Sequence, residues 1–552
     1  MSVKDFRVVV AIDFGTTCSG FAYSHTENHD TAVHSLFPGH TASKTNTVLE
    51  YDNNWKAINW GFPALVKAQS RRKKASVNSR PVELFKLHLA DIDEESKPYL
   101  PRGLNYKTAI TDFLNKMQKF MLETLLNRWP SLTLPKIRFV FSVPAEWAPK
   151  TRGILRECIY KAGFLTEKYS DNLEFISEPE AAAIFCMSIL KEHELKVGDS
   201  FMVCDCGGGT VDLTTRTLLP ENQLGEVTER TGDLCGSTFV DNEFILFLGR
   251  RLGHKAVQEF KENHYGLVQL LIHKFFCPEV KDEFAGNVST FEPIEFDIQR
   301  ICPQLMSYVD DERREQMEED EWIIELQFSD VTSMFDPVVE KIIRLVRNQL
   351  NASGEQKCSA IFMVGGFAEN PYLVSRVKKT FSRDVHVIAV PQKPITTILK
   401  GAVQYGLNKK IVKSRRLTWT YGIEVYVLWK KGVDPKKRKL FNGHIQKFDA
   451  LAKRGTEASP DQKFCGIYVP FHAIQTSVRF RVLATKKLDA RFCDEPGMEE
   501  IGCMTVNLGI KNLGLIRPIE FSLTFADEEI KATAWNKLTE EIFETKFDYL
   551  TE

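Results

Sequence analysis

No stretch of this chain approaches the roughly 20 consecutive apolar residues that cross a bilayer, and neither sign of charge dominates. The 72 Lys and Arg stand against 73 Asp and Glu in 552 residues, a formal net charge of −1. There is thus no electrostatic case for nucleic acid or an anionic membrane as a main partner. The 12 cysteines include no CxxC pair of the kind that holds zinc or does redox work. The 12 histidines show no ligand spacing. Cys186, Cys204 and Cys206 lie in apolar runs, where a free thiol behaves as a small hydrophobe. The start, "MSVKDFRVVVAIDFG", lacks the charged-then-apolar layout of a signal peptide. Together these absences predict a cytoplasmic, reducing location.

What is present is a globular composition, 43% hydrophobic and 26% charged, in a chain too long for one core. Two or more domains are expected. The opening "RVVVAIDFGTTCSGFAYS" is an apolar run, then Asp13, Gly15, Thr16 and Thr17, then a second β-prone run. "FMVCDCGGGTVDLT" repeats that grammar with Asp205, Gly207, Gly208, Gly209 and Thr210. Each reads as a strand running through a glycine turn into a returning strand. Glycine lets backbone N–H groups approach phosphate oxygens and form an anion-binding nest, and Thr hydroxyls add donors. An Asp at the strand end is repelled by phosphate but holds Mg²⁺ through the metal's retained waters. One such turn is ordinary hairpin chemistry. Two matched copies predict similar halves that clamp a triphosphate and its metal from both sides.

A third glycine site, "CSAIFMVGGFAENPYL", reads as a strand, Gly365 and Gly366, then a helix starting at Asn370-Pro371, with Asn as N-cap and Pro in the first turn. The glycine pair leaves room for a ring or ribose against the backbone, or serves packing alone.

These segments resemble, in order along roughly the first 410 residues, the actin, sugar-kinase and heat-shock ATPase superfamily, and within it the seventy-kilodalton heat-shock chaperones. "IDFGTTCSG" and "VCDCGGGTVDLT" are similar to the two phosphate motifs. "FVFSVPAEW" with "LEFISEPEAAAIFC" is similar to the connecting segment, and "TGDLCGSTFVDNEF", with Gly236, to the strand-to-helix step of the second lobe. "MFDPVVEKIIRLV", "FMVGGFAENPYL" and "LKGAVQYGL" resemble the late helix, the adenosine motif and the closing helix. "VGGFAENP" resembles most the divergent branch typified by heat-shock proteins 12A and 12B.

The resemblance implies a two-lobed α/β actin-like ATPase domain of duplicated halves over 1–410, binding ATP or ADP with Mg²⁺. It implies that Asp13 and Asp205 hold Mg²⁺ through water, that Gly15, Thr16, Thr17 and the Gly207–Thr210 turn cradle phosphate, and that Glu178 helps place the metal or attacking water. Taken alone, Glu178 before Pro179 would serve a helix dipole. Lys86 in "PVELFKLHL" stands where the family has its catalytic lysine. The chain departs from the family at adenine. Glu369 stands where an Arg is expected, and the Lys-Arg pair of the second lobe is reduced to Lys281 followed by Asp282. Cation–π contact with the base is then lost or replaced, with Phe367 as the substitute.

"RRKK" (71–74) and "KKRK" (436–439) lack interleaved aromatics and read as solvated loops, and "DDERREQMEEDEW" as an exposed helix or loop. A basic hinge, "NKKIVKSRRLTWTYG", replaces the chaperones' acidic-leucine linker. The tail, 413–552, offers five or six strands and resembles a shortened β-sandwich peptide-binding domain. "TEEIFETKFDYLTE" is the one stretch left for a helix, so the long helical lid is expected to be absent, as is the acidic ending that recruits co-chaperones. The expected function is slow Mg²⁺-dependent ATP hydrolysis that switches affinity for a peptide or protein client. Co-chaperones remain an open partner, and nucleic acid and membrane are not expected. A non-hydrolysing nucleotide sensor or scaffold and a small-molecule kinase of the same superfamily are the alternatives.

Overall fold

The computed structural model describes residues 6–66, 80–90, 92–94, 97–145, 147–354, 356–508, 514–525 and 530–546; "RRKK" (71–74) lies outside them. The apolar runs form strands because β-branched and aromatic side chains suit a pleated surface buried on both faces. A first sheet contains β1 (Val8–Phe14), β2 (Cys18–His25), β3 (Ala32–Val33), β4 (Thr45–Asn46), β5 (Ile137–Val143) and β6 (Leu173–Ser177), in the order β6-β5-β1-β2-β3 with β4 also on β2. A second contains β7 (Ser200–Cys206), β8 (Val211–Leu219), β9 (Gln223–Glu226), β10 (Thr231–Asp233), β11 (Cys358–Val364) and β12 (Val387–Ala389), ordered β9-β8-β7-β11-β12 with β10 also on β8. In each, the inner strand is antiparallel to its hairpin partner and parallel to its other neighbour. The halves share one plan: this is the two-lobed actin-like fold.

Helices α1 (Glu178–Met187) and α3 (Thr397–Leu407) lie between the sheets, and α2 (Thr238–Leu252) leads into the second lobe. The core around α1 and α3 joins Val9, Ala11 and Val140 of the first sheet to Phe201, Val203 and Phe362 of the second. A Cβ at Gly401 would stand 1.7 Å from the Ala181 carbonyl oxygen, so only glycine permits this helix approach.

The tail carries β13 (Arg415–Arg416), β14 (Thr420–Leu428), β15 (His444–Ala452), β16 (Glu457–Ala458), β17 (Phe464–Tyr468), β18 (Ser477–Thr485), β19 (Met498–Asn507), β20 (Ile519–Thr524), β21 (Lys531–Asn536) and β22 (Ile542–Lys546). Two four-stranded sheets, β15-β14-β18-β19 and β17-β20-β21-β22, pack into a sandwich in which Phe480 stacks on Phe521 at 4.6 Å. Among the described residues the sandwich thus has eight strands, not five or six. The stretch expected as a final helix is partly β22, which pairs with β21 and covers an otherwise open sheet edge; 547–552 lie outside the described residues. Within "DDERREQMEEDEW", Asp311–Glu319 is a largely exposed helix capped by Asp310, and Lys436–Arg438 is a surface 3₁₀ turn. No helix of the described residues is long and apolar enough to cross a membrane.

The basic hinge is not a loose spacer. Val412 bridges to Leu224, and Arg415 is buried with its Nη2 2.7 Å from Glu180 Oε1 on α1. Arg216 Nη2 lies 2.9 Å from Glu180 Oε2 and 3.1 Å from Glu226 Oε1. The Arg416 amide donates to Glu226 Oε2 at 2.5 Å, and Arg454 of the tail reaches Glu229 at 2.7 Å. Acids of the two-lobed part receive arginines from the hinge and tail. Removing one partner of a buried pair leaves its counter-charge uncompensated. Arg415→Ala is expected to destabilise the protein by about 3 kcal/mol in urea unfolding, whereas a loss below about 0.5 kcal/mol would mark the pair as a surface-like contact.

Candidate functional site

The two glycine turns meet face to face in the cleft between the lobes. A Cβ at Gly208 would lie 2.3 Å from Thr17 Oγ1, and one at Gly209 3.0 Å from Thr16 Oγ1. The second turn therefore requires glycine because the first is packed against it. The first turn is held by Ser19 Oγ accepting from the Gly15 amide at 3.2 Å and by Thr47 Oγ1 donating to the Gly15 carbonyl at 2.9 Å. The second is held by the start of α2. The amides of Gly236, Ser237 and Thr238 donate to the carbonyls of Gly209, Gly207 and Gly208. The third glycine site joins from β11: Gly365 has φ +84°, and a Cβ there would strike Asp205 Oδ1 at 2.5 Å.

Together these segments line a cavity of about 220 Å³ with Lys44, Lys86, Glu178, Phe367, Ile395 and Ile398. Asp13, Asp205, Gly15, Thr16, Thr17, Thr210, Gly365 and Gly366 are all on its wall. Gly236 acts one layer out, through the backbone. Lys281 is not on this wall: its Nζ is 2.6 Å from Asp241, and its carbonyl accepts from Asn370 Nδ2. It ends a π-helical stretch, Ile272–Lys281, with Pro278 inside. Glu369 has its carboxyl pushed up by burial and by Asp282.

The electrostatics are dominated by acids. Lys86 Nζ meets Glu178 Oε1 at 2.8 Å, both buried, because the left-handed Leu84 (φ 57°) leads into the 3₁₀ turn that carries the lysine. Burial, reinforced by Asp13, raises the Glu178 carboxyl against the pull of Lys86. Burial would also raise Asp13, but Lys44, 2.5 Å away, outweighs it and holds Asp13 below the ordinary range. Asp13 Oδ1 accepts from Ser142 Oγ at 3.0 Å. For Asp205 the longer-range pull of Lys44 does not prevail. Burial, then Glu178, Asp212 and Asp13, push it well up, and its Oδ1 has no hydrogen-bond partner. Such a donor set suits a hydrated divalent ion bridged to phosphate. It does not suit a chelated one, since among the described residues no group of three His, Cys, Asp or Glu could hold a metal.

Away from the cavity wall, the lobes also touch. The Arg80 guanidinium lies 3.8 Å from the Tyr99 ring and 3.7 Å from that of Tyr265, and the Tyr265 hydroxyl donates to Glu83. Lys44 and Glu180 were invisible to motif reading. Lys44 sits in the turn-like run "TASKTNT" and meets Asp13 only through tertiary structure; Glu180 resembles any acid in a helix's first turn.

No family model matches the chain. It is 26% identical to heat shock 70 kDa protein 12A of Mus musculus over 99% of this chain and 92% of the relative. It is also 26% identical to heat shock 70 kDa protein 12B of Homo sapiens, over 99% and 91%. The chaperone protein HscA homolog of Rickettsia prowazekii (strain Madrid E) is 21% identical over 71% of this chain and 56% of its own length.

A buried acid held protonated in the fold makes stability fall as pH rises. For Asp205 the loss begins near the ordinary value of 3.8 and is complete above the raised folded value. Asp205→Asn is therefore expected to stabilise the ligand-free protein at pH 7 by about 2 kcal/mol and to flatten that part of its stability–pH curve. Urea unfolding at several pH values reads both, and a destabilised variant would contradict the repulsion. The facing turns, the shared plan of the lobes and near-full-length similarity agree: this chain is a divergent relative of the heat-shock 70 kDa proteins, of the kind represented by 12A and 12B.

Proposed function

We propose that the chain is an ATP-binding, chaperone-like switch, with a nucleotide-binding part (1–410) and a substrate-binding-like tail (413–552). The observation that carries this reading is the apposition of the two glycine turns beside the unpartnered oxygen of Asp205. Amides and hydroxyls of Gly15–Thr17 and Gly207–Thr210 would cradle the phosphates, while Asp13 and Asp205 would hold Mg²⁺ through its waters. The ion would neutralise charge on the β- and γ-phosphates. Phosphoryl transfer needs mainly positioning and charge neutralisation, and the Lys86–Glu178 pair would orient the attacking water. ADP would remain after hydrolysis. The result is a weak ATPase.

Peptide binding by the tail is supported by a gap in its first sheet. β14 and β18 pair over Thr420–Ile423 only. Beyond it, Tyr426, Val427 and Leu428 are exposed, beside Phe471, whose ring lies 5.6 Å from that of Tyr426. A strand with one unpaired edge and apolar neighbours suits an extended peptide. Coupling would run along α1, which carries Glu178 at the cleft and Glu180 at the hinge. The relatives' names, heat shock and chaperone protein, accord with a protein client. The twelve free thiols accord with a cytoplasmic setting.

A non-hydrolysing sensor is the second reading, motivated by Glu369 and by the sequestration of Lys281 near the expected base site. Single-turnover cleavage of γ-labelled ATP with Mg²⁺ separates the two. The switch predicts slow cleavage, lowered at least about tenfold in Asp205→Ala. ATP retained intact by the parent would favour the sensor, and no retention would contradict both.

A further inference from the structure

Lys44 and Lys86 are the two cations on the cavity wall among the described residues, and the place of Lys44 is fixed from both sides. It directly precedes β4, whose Thr45 and Asn46 pair with Ser19 and Cys18 of the first phosphate hairpin. The next turn of chain is locked by the Thr47 amide donating to the Thr17 carbonyl at 2.8 Å and by Thr47 Oγ1 and Ser19 Oγ at 2.7 Å. The Lys44 backbone thus moves with the turn that carries Gly15, Thr16 and Thr17. Its stem packs close to Gly20, where a Cβ would lie 2.9 Å from Lys44 Cγ. Its side chain is 10% exposed, and its Nζ bonds one oxygen of Asp13. Asp13 is the only hydrogen-bond partner of this ammonium among the described residues. The other N–H bonds remain for the cavity it lines with Asp205.

A lysine serving only as a structural counter-ion would turn its N–H groups to its acid. Lys44 instead stands where a positive charge is needed for phosphate to enter at all. Asp13, Glu178 and Asp205 ring the cavity, and Asp13, whose carboxyl is held below the ordinary range, repels a polyanion unless its charge is offset. A hydrated divalent ion would relieve that repulsion from solution; a tethered ammonium relieves it permanently. Lysine is a compact charge with three donors on a flexible stem, suited to bonding a carboxylate and a phosphate oxygen together.

We propose that Lys44 is a built-in cation of the phosphate site, bonding Asp13 and the nucleotide phosphate at once, so that nucleotide is retained without a divalent ion. The metal is then needed for cleavage rather than for binding. This inference rests on the nucleotide reading above.

The test is calorimetric binding of ADP to the full chain, in Mg²⁺ and in EDTA. Chelation is expected to weaken binding by the parent less than about tenfold, and a loss of tenfold or more overturns the inference without recourse to any variant. Lys44→Met is expected to lose at least about tenfold more than the parent on chelation, and Lys44→Arg to follow the parent; equal losses in parent and Lys44→Met overturn it. Thermal melts establish that the variants fold, and if Lys44→Met does not, the parent's ratio still decides. A parent that binds ADP in neither condition contradicts the nucleotide reading itself, and this inference falls with it. A parent that binds in Mg²⁺ alone contradicts the inference while leaving that reading intact.

Discussion

Buried negative charge is the constraint on which the rest of this structure depends. Asp13, Glu178 and Asp205 are brought to one cavity by two strand ends and a helix start, and a further acid, Asp212, sits opposite Asp205 in register. Isolated carboxylates at this depth are costly, so each must find a cation or keep its proton. Asp13 has Lys44 and Glu178 has Lys86. Asp205 has no lysine paired to it among the described residues, and burial and its neighbouring acids push its carboxyl up. The fold holds a destabilised acid at its centre, as functional sites do when a ligand completes them.

The same logic repeats at the join with the tail. Glu180 and Glu226 are fully buried and answered by Arg216, Arg230 and Arg415. Glu178 and Glu180 sit on the first turn of one helix, packed tightly against α3 by the glycine at 401. A shift of α1 that altered the first pair would have to alter the second, because the close helix contact leaves no slack to absorb it. In the reading proposed above, this rigidity links cleft to tail, with the polarity of the contact set by acids in the core and arginines in the hinge.

The fold was legible where local chemistry and tertiary role coincide. Both glycine hairpins follow an apolar strand and require glycine at specific positions, so their sequence carries their shape, and Gly207 to Gly209 face Thr16 and Thr17 as a two-sided clamp would. Lys86 beside Glu178 was equally readable through the family resemblance. Other features were not. Lys44 and Arg415 lie in polar, turn-like stretches, and their partners are distant in sequence, so no period or spacing marks them. Short alternating strands near the chain's end, such as Ile542–Lys546, carry too few residues for period 2 to outweigh helix-prone glutamates. There the open edge of β21 decided the outcome.

The central claim is that two turns from separate lobes grip one ligand together. Hydrogen exchange of the intact chain, with and without Mg²⁺ and ADP, tests it most directly. The account predicts slowed exchange at the amides of Gly15–Cys18 and of Gly207–Thr210 in concert, with the same dependence on ADP concentration. Protection of one turn without the other, or of neither while ADP is bound, would contradict a two-sided clamp.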